Sequence, residues 1–137
     1  MDKITRKRRS ANMSMIRSKD TRPELIVRRL AHAAGYRFRL HRRDLPGKPD
    51  LVFASRMKVI FVHGCFWHQH AGCADGRMPR SNTAYWVPKL EGNRKRDRAT
   101  RRALAKIGWD ALVIWDCQTQ EPERVVGVIE RFLNGAR

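Results

Sequence analysis

The segment His63-Gly64-Cys65-Phe66-Trp67-His68-Gln69-His70-Ala71-Gly72-Cys73 holds most of the side chains in this chain that could do chemistry. Cys65, His70 and Cys73 lie close enough in sequence to converge on one ion, and all three are zinc-type donors. A structural zinc needs a fourth ligand. Cys117 is the only cysteine left, just past an apolar run that ends at Trp115. A Cys-Cys-Cys-His set would tie a long, irregular loop, poor in aliphatic residues, to a distant strand end, and ion binding would offset the entropy of ordering it. Three buried reduced thiols beside a surface histidine remain the alternative. With His70 so assigned, His63 and His68 are free for acid–base work near neutral pH. Asp50 opens a strand after Lys48-Pro49, where a nuclease could place a Mg²⁺-holding carboxylate, although Pro-Asp is also common in turns. Phe66 and Trp67 either cover the core or act as an apolar wedge between DNA base steps.

These groups need a scaffold. Thr21-Arg22-Pro23-Glu24 reads as a capping box, with Val27, Leu30, Ala31 and Ala34 at helical spacing and Gly35 as the stop. Tyr36–Leu40 alternates apolar and basic residues, as a strand does. His41–Pro49 is a basic loop before a short strand over Asp50–Phe53. A turn near Ser55 leads to Val59–Val62, an apolar run suited to a buried central strand. His63–Pro88 has no clear period. Lys89–Ile107 predicts a long basic helix, with Gly92 a candidate break and Arg94, Lys95, Arg96, Arg98, Arg101, Arg102 and Lys106 on a positive face. Ala111–Trp115 is the next buried strand, and an amphipathic helix closes the chain from Pro122. The order α-β-β-β-α-β-α predicts an α/β fold with a mixed sheet flanked by helices.

The chain has 137 residues, enough for one domain with a modest core. Residues 1–20 read as a basic arm that orders on its partner, and residues 21–137 as a single domain. With 30 Lys and Arg against 13 Asp and Glu, the formal net charge is +17, which favours a polyanionic partner through phosphate neutralisation. No stretch approaches the roughly 20 apolar residues of a membrane helix, and the basic N-terminus lacks the apolar run of a secretory signal. Three cysteines cannot all pair within one chain, which favours metal ligation or free thiols. These features predict a cytoplasmic, nucleoid-associated protein with no membrane partner.

The run Phe61–His68, with Pro46-Gly47-Lys48-Pro49-Asp50 before it and Gly108-Trp109 and Trp115-Asp116-Cys117 after it, resembles the very-short-patch repair (Vsr) DNA mismatch endonucleases. Ser10–Ile16 and Asp97-Arg98 share the likeness, which spans nearly the whole chain. The resemblance implies a restriction-endonuclease-like fold. It implies Mg²⁺-dependent nicking of double-stranded DNA on the 5′ side of the T in a T:G mismatch, the lesion left by deaminated 5-methylcytosine, with a 5′-phosphate product. The family's catalytic groups would fall on Asp50, His63, His68 and Glu24, its magnesium site on Asp50 and the backbone of Val62, and its structural zinc ligands on Cys65, His70, Cys73 and Cys117. Its intercalating residues would fall on Phe66 and Trp67, with Met13 entering from the other groove. A monomer is implied, with mismatch-repair proteins as candidate partners. Two departures stand out: Val62 where threonine is common, and a His70–Cys73 loop one residue longer than the pattern. A zinc-stabilised DNA-binding module without nuclease activity, a restriction-type nuclease cutting matched DNA, and an RNA-binding structural protein are the competing readings.

Overall fold

A computed structural model describes residues 21–135 of the chain. The basic arm, including Met13, lies outside the described residues. Helix α1 spans Arg22–Ala33. It buries Val27 and Ala31 and ends on Gly35 at φ +95°. There the Gly35 N–H donates to the His32 carbonyl and the Tyr36 N–H to that of Ala31, a Schellman closure. The expected capping box does not form, because Thr21 makes no side-chain cap bond. Glu24 is instead turned inward and buried, its carboxylate taken by Arg28 one turn on at 3.1 Å.

Strand β1 is only Arg39–Leu40, shorter than the alternation over Tyr36–Leu40 predicts. Its partner β2, Leu51–Phe53, offers three residues, and the antiparallel register pairs Arg39 with Val52 and Leu40 with Leu51. Phe38 contributes by packing, its ring 5.8 Å from that of Phe53. After a 3-10 turn at Ala54–Arg56, β3 spans Lys58–His63 and pairs antiparallel with β2. Helix α2 (Thr83–Lys106) then crosses to β4, Asp110–Trp115, which lies parallel to β3. The sheet order is β1-β2-β3-β4, so the result is a mixed α/β sheet with helices.

Period-two alternation in β3 divides the core. Ile60 and Val62 face α1 and the last helix, α3 (Pro122–Leu133), with Val125, Ile129 and Leu133. Val59 and Phe61 face the α2 side with Leu104. Lys58 and Arg56 donate to the Phe132 and Leu133 carbonyls, so two cations sit at the negative end of the α3 dipole.

Helix α2 spans Thr83–Lys106, beginning six residues before the predicted start and running unbroken through Gly92. Buried Leu90 and packing of its first turn on the preceding loop outweigh the low helix propensity of Pro88 and Gly92. Arg94, Lys95, Arg96, Arg98, Arg101, Arg102 and Lys106 are all exposed. No helix among the described residues is long and apolar enough to cross a membrane.

Candidate active site and metal-ligand cluster

The end of β3 and the start of β2 meet at one end of the sheet, and Asp50 sits there. Its N–H donates to the Ile60 carbonyl, and its carboxylate accepts the Val62 N–H at 2.6 Å. The backbone of β3 therefore aims this side chain. The Val62 side chain packs against the α1 side of the core, leaving its main chain to face Asp50. Donor atoms of Glu24, His41 and Asp50 lie within 4.8 Å of one another, close enough to hold a cation. Burial, and behind it the Glu24 carboxylate, push the Asp50 carboxyl up to about 7, against the pull of the Val62 N–H. Two carboxylates crowded in a half-buried site are a donor set that suits a hard divalent ion.

The second group comes from the other face. His63 ends β3 and is buried, and its ring stacks on that of His68 with centroids 3.8 Å apart and planes 7° from parallel. Burial, then the neighbouring His68, push His63 down to about 4, so its imidazole is neutral at neutral pH. His68 Nδ1 is 2.7 Å from the Asp97 carboxylate of α2. A carboxylate there holds the ring proton on Nδ1 and leaves Nε2 able to accept. Glu24, His41, Asp50, His63, His68 and Asp97 all line a single cleft of about 590 Å³, with Arg43, Lys48 and Arg101 around it. Gly47 closes one wall at φ +76°, and any Cβ there would strike Thr100 of α2 at 2.3 Å.

Cys65, His70, Cys73 and Cys117 form a separate group, with ligand atoms all within 4.8 Å of one another. His70 Nδ1 is 3.8 Å from the Cys65 sulfur and 3.4 Å from that of Cys117. A tetrahedral zinc with bonds of about 2.3 Å to sulfur and about 2.0 Å to nitrogen needs N–S edges of roughly 3.6 Å, so the donors fit such an ion. The extra residue between His70 and Cys73 does not pull His70 away. Burial pushes the Cys65 thiol up to about 12 and raises that of Cys117, a cost that thiolate coordination to a cation removes. Gly76 backs directly onto His70, where a Cβ would meet the His70 carbonyl at 2.3 Å. Trp115 joins the two groups. Its ring stacks on His70 at 4.2 Å and meets His63 edge-on at 5.3 Å.

Phe66 and Trp67 stand beside each other, half-buried, with ring centroids 5.3 Å apart. Trp86, from the first turns of α2, packs at 5.2 Å from Phe66 and 5.9 Å from Trp67. Asn93 holds the Trp67 carbonyl at 3.0 Å and Gln69 that of Phe66 at 2.7 Å. Sequence reasoning passed over Trp86, His41 and Asp97 as site residues. Trp86 lay in a stretch without period. Asp97 carried two usable signals, its place in the Asp97-Arg98 likeness and its standing as the sole acid among the basic residues from Arg94 to Lys106.

A protein-family model described as DNA mismatch endonuclease Vsr matches residues 1–74, which take in Glu24, Asp50, His63, His68 and Cys73. The chain belongs to the Vsr family. The type II nicking enzyme V.XorIIP of Xanthomonas oryzae pv. oryzae is 54% identical over 120 residues, 88% of each chain. The type II nicking enzyme V.NmeAIP of Neisseria meningitidis is 40% identical over 117 residues, 85% of this chain and 83% of its own. The DNA mismatch endonuclease Vsr of Escherichia coli is 38% identical over 124 residues, 90% of this chain and 77% of its own. Membership of the Vsr family makes this chain a DNA-cleaving enzyme with DNA as its substrate. That sets aside the readings without nuclease activity.

Proposed function

We propose that this Vsr-family enzyme nicks duplex DNA 5′ of the T in a T:G mismatch by Mg²⁺-dependent phosphodiester hydrolysis, leaving a 5′-phosphate and initiating very short patch repair. The observation that carries this reading is the convergence of Asp50 and Glu24 with the His68–Asp97 pair on one cleft flanked by basic side chains. Asp50 and the Val62 backbone carbonyl would hold Mg²⁺, with Glu24 alongside. When bound, the ion draws charge from the scissile phosphate and favours a nucleophilic water. His68, with Asp97 stabilising its charged form, takes the proton of the attacking water. Neutral His63 donates a hydrogen bond to the phosphate or its leaving oxygen. Arg43, Lys48 and Arg101 hold the DNA backbone by charge.

Substrate choice rests on the aromatic cluster. Phe66 and Trp67, joined by Trp86, form a face fit to enter between base steps, and Met13 of the arm (residues 1–20) would enter from the other groove. Unstacking a step costs on the order of a few kcal/mol, less where pairing is already faulty, which favours a mismatch. We further read residues 21–137 as one endonuclease domain of restriction-endonuclease-like fold, with Cys65, His70, Cys73 and Cys117 on a structural zinc. The enzyme is read as monomeric, working in the cytoplasm beside mismatch-repair proteins. A restriction-type nuclease of the same fold would cut matched DNA. A nicking assay on duplexes that differ only in T:G, T:A or another mismatch, with and without Mg²⁺, separates the two. Cutting confined to T:G and dependent on Mg²⁺ is expected, and equal cutting of T:A would overturn the mismatch reading.

A further inference from the structure

His41 belongs to none of the motifs above, yet the fold delivers it to the cleft. The β1–β2 register pairs Leu40 with Leu51, and one further step sets His41 opposite Asp50. Its backbone is held at φ +50°, a left-handed conformation unusual for a side chain of this size. The Arg28 Nη2 lies 2.9 Å from His41 Nε2 and 3.1 Å from the Glu24 carboxylate. Arginine can only donate, so His41 Nε2 is the acceptor and the ring proton sits on Nδ1. His41 Nε2 is itself 3.9 Å from the same Glu24 oxygen. One guanidinium nitrogen thus bridges an imidazole from the β1 end and a buried carboxylate on α1.

We propose that His41 is a positioning residue of the nuclease site: by accepting from Arg28 it fixes the guanidinium that holds Glu24 turned toward Asp50. This rests on the reading of Asp50 and Glu24 as cleavage residues. Arg28 alone sits one helical turn from Glu24 on a flexible side chain, and a second anchor from another element sets the rotamer that a lone ion pair leaves free. Because the imidazole acts through Arg28, it does not itself ligate the cation.

The test is a double-mutant cycle on single-turnover nicking of a T:G duplex in Mg²⁺, with duplex affinity measured alongside. His41→Leu, and equally Arg28→Met, should slow nicking on the order of ten- to a hundredfold with duplex Kd unchanged, the usual effect of removing a partner that orients a ligand. Adding His41→Leu to Arg28→Met should slow it by less than about twofold more, since the two act as one unit. His41→Gln, whose amide oxygen can accept from Arg28, should restore most of the rate. Mn²⁺ bound at the site should show the same nitrogen coupling in its magnetic resonance spectrum with or without His41. Additive losses, a glutamine variant as slow as the leucine one, or a nitrogen coupling lost with His41 would each overturn the proposal, the last by making the ring a ligand. Should His41→Leu not fold, His41→Asn, whose shorter amide cannot reach Arg28, takes its place. If Asp50→Asn nicks at the unaltered rate, the underlying site reading fails. If Asp50→Asn is inert while the cycle is additive, only the role of His41 fails.

Discussion

The cysteine cluster and the carboxylate–histidine cleft are linked through Trp115, whose ring touches His70 of one and His63 of the other, yet they are built by different means. Three donors of the cluster come from nine consecutive residues, Cys65–Cys73, and the fourth from just beyond β4. Cys65 is the one buried apolar residue of that loop, so a bound ion would add much to the few polar and ring contacts that hold it. The cleft draws on α1, the loop after β1, the start of β2, the end of β3 and α2, elements already fixed by the two cores, and takes only His68 from the cysteine loop. Its side chains are tied by direct bonds, Asp50 to the Val62 N–H and His68 to Asp97. The lesson is a division of labour. Losing the cluster should cost the fold, and losing a cleft residue should cost only the reaction.

The largest effect that could break this contrast is on stability. Cys117→Ser, or prolonged chelation, should remove several kcal/mol of a total near 5–15 kcal/mol, lower Tm by at least about 10 °C and abolish activity with it. Calorimetry with a measurement of bound zinc per chain checks this, and a Cys117→Ser protein with unaltered Tm would erase the distinction. A smaller and purely catalytic loss is expected for Asp97→Asn. Its shape is kept but the charge that supports His68 is gone, so the nicking rate should fall on the order of ten- to a hundredfold while Tm moves by no more than about 2 °C. Parallel rate and melting measurements decide it. The smallest effect belongs to Val62→Thr. The side chain packs in the core while its main chain meets Asp50, so the hydroxyl should destabilise by about 1 kcal/mol and alter the nicking rate by less than about twofold. A several-fold gain in rate with threonine would show that a hydroxyl takes part in the chemistry.

The same contrast governs what could be read from the residues alone. The cluster was legible because its chemistry lies in the side chains themselves, and cysteines and a histidine at short spacing say metal before any fold is known. Val59–Val62 and the closing helix were legible from their periodicity, whereas α2 was cut short because Pro88 and Gly92 argue locally against a helix that tertiary packing sustains. Thr21 and Glu24 fit a capping pattern, but Arg28 outbids the backbone for the Glu24 carboxylate, a choice that depends on what surrounds the helix. His41 and Asp97 are distant in sequence from the groups they meet, 13 residues from Arg28 and 29 from His68, and no spacing rule reaches that far.

On the proposed reading the cleft around Asp50 cuts DNA and the cluster beside it only holds the loop. Asp50→Asn tests it most directly, with the nicking rate on a T:G duplex and the Kd for that duplex measured on one preparation. A fall in rate on the order of 10³-fold or more is expected, with the Kd and Tm nearly unmoved. Nicking at the unaltered rate, or a loss of DNA binding that matches the loss of rate, would contradict it.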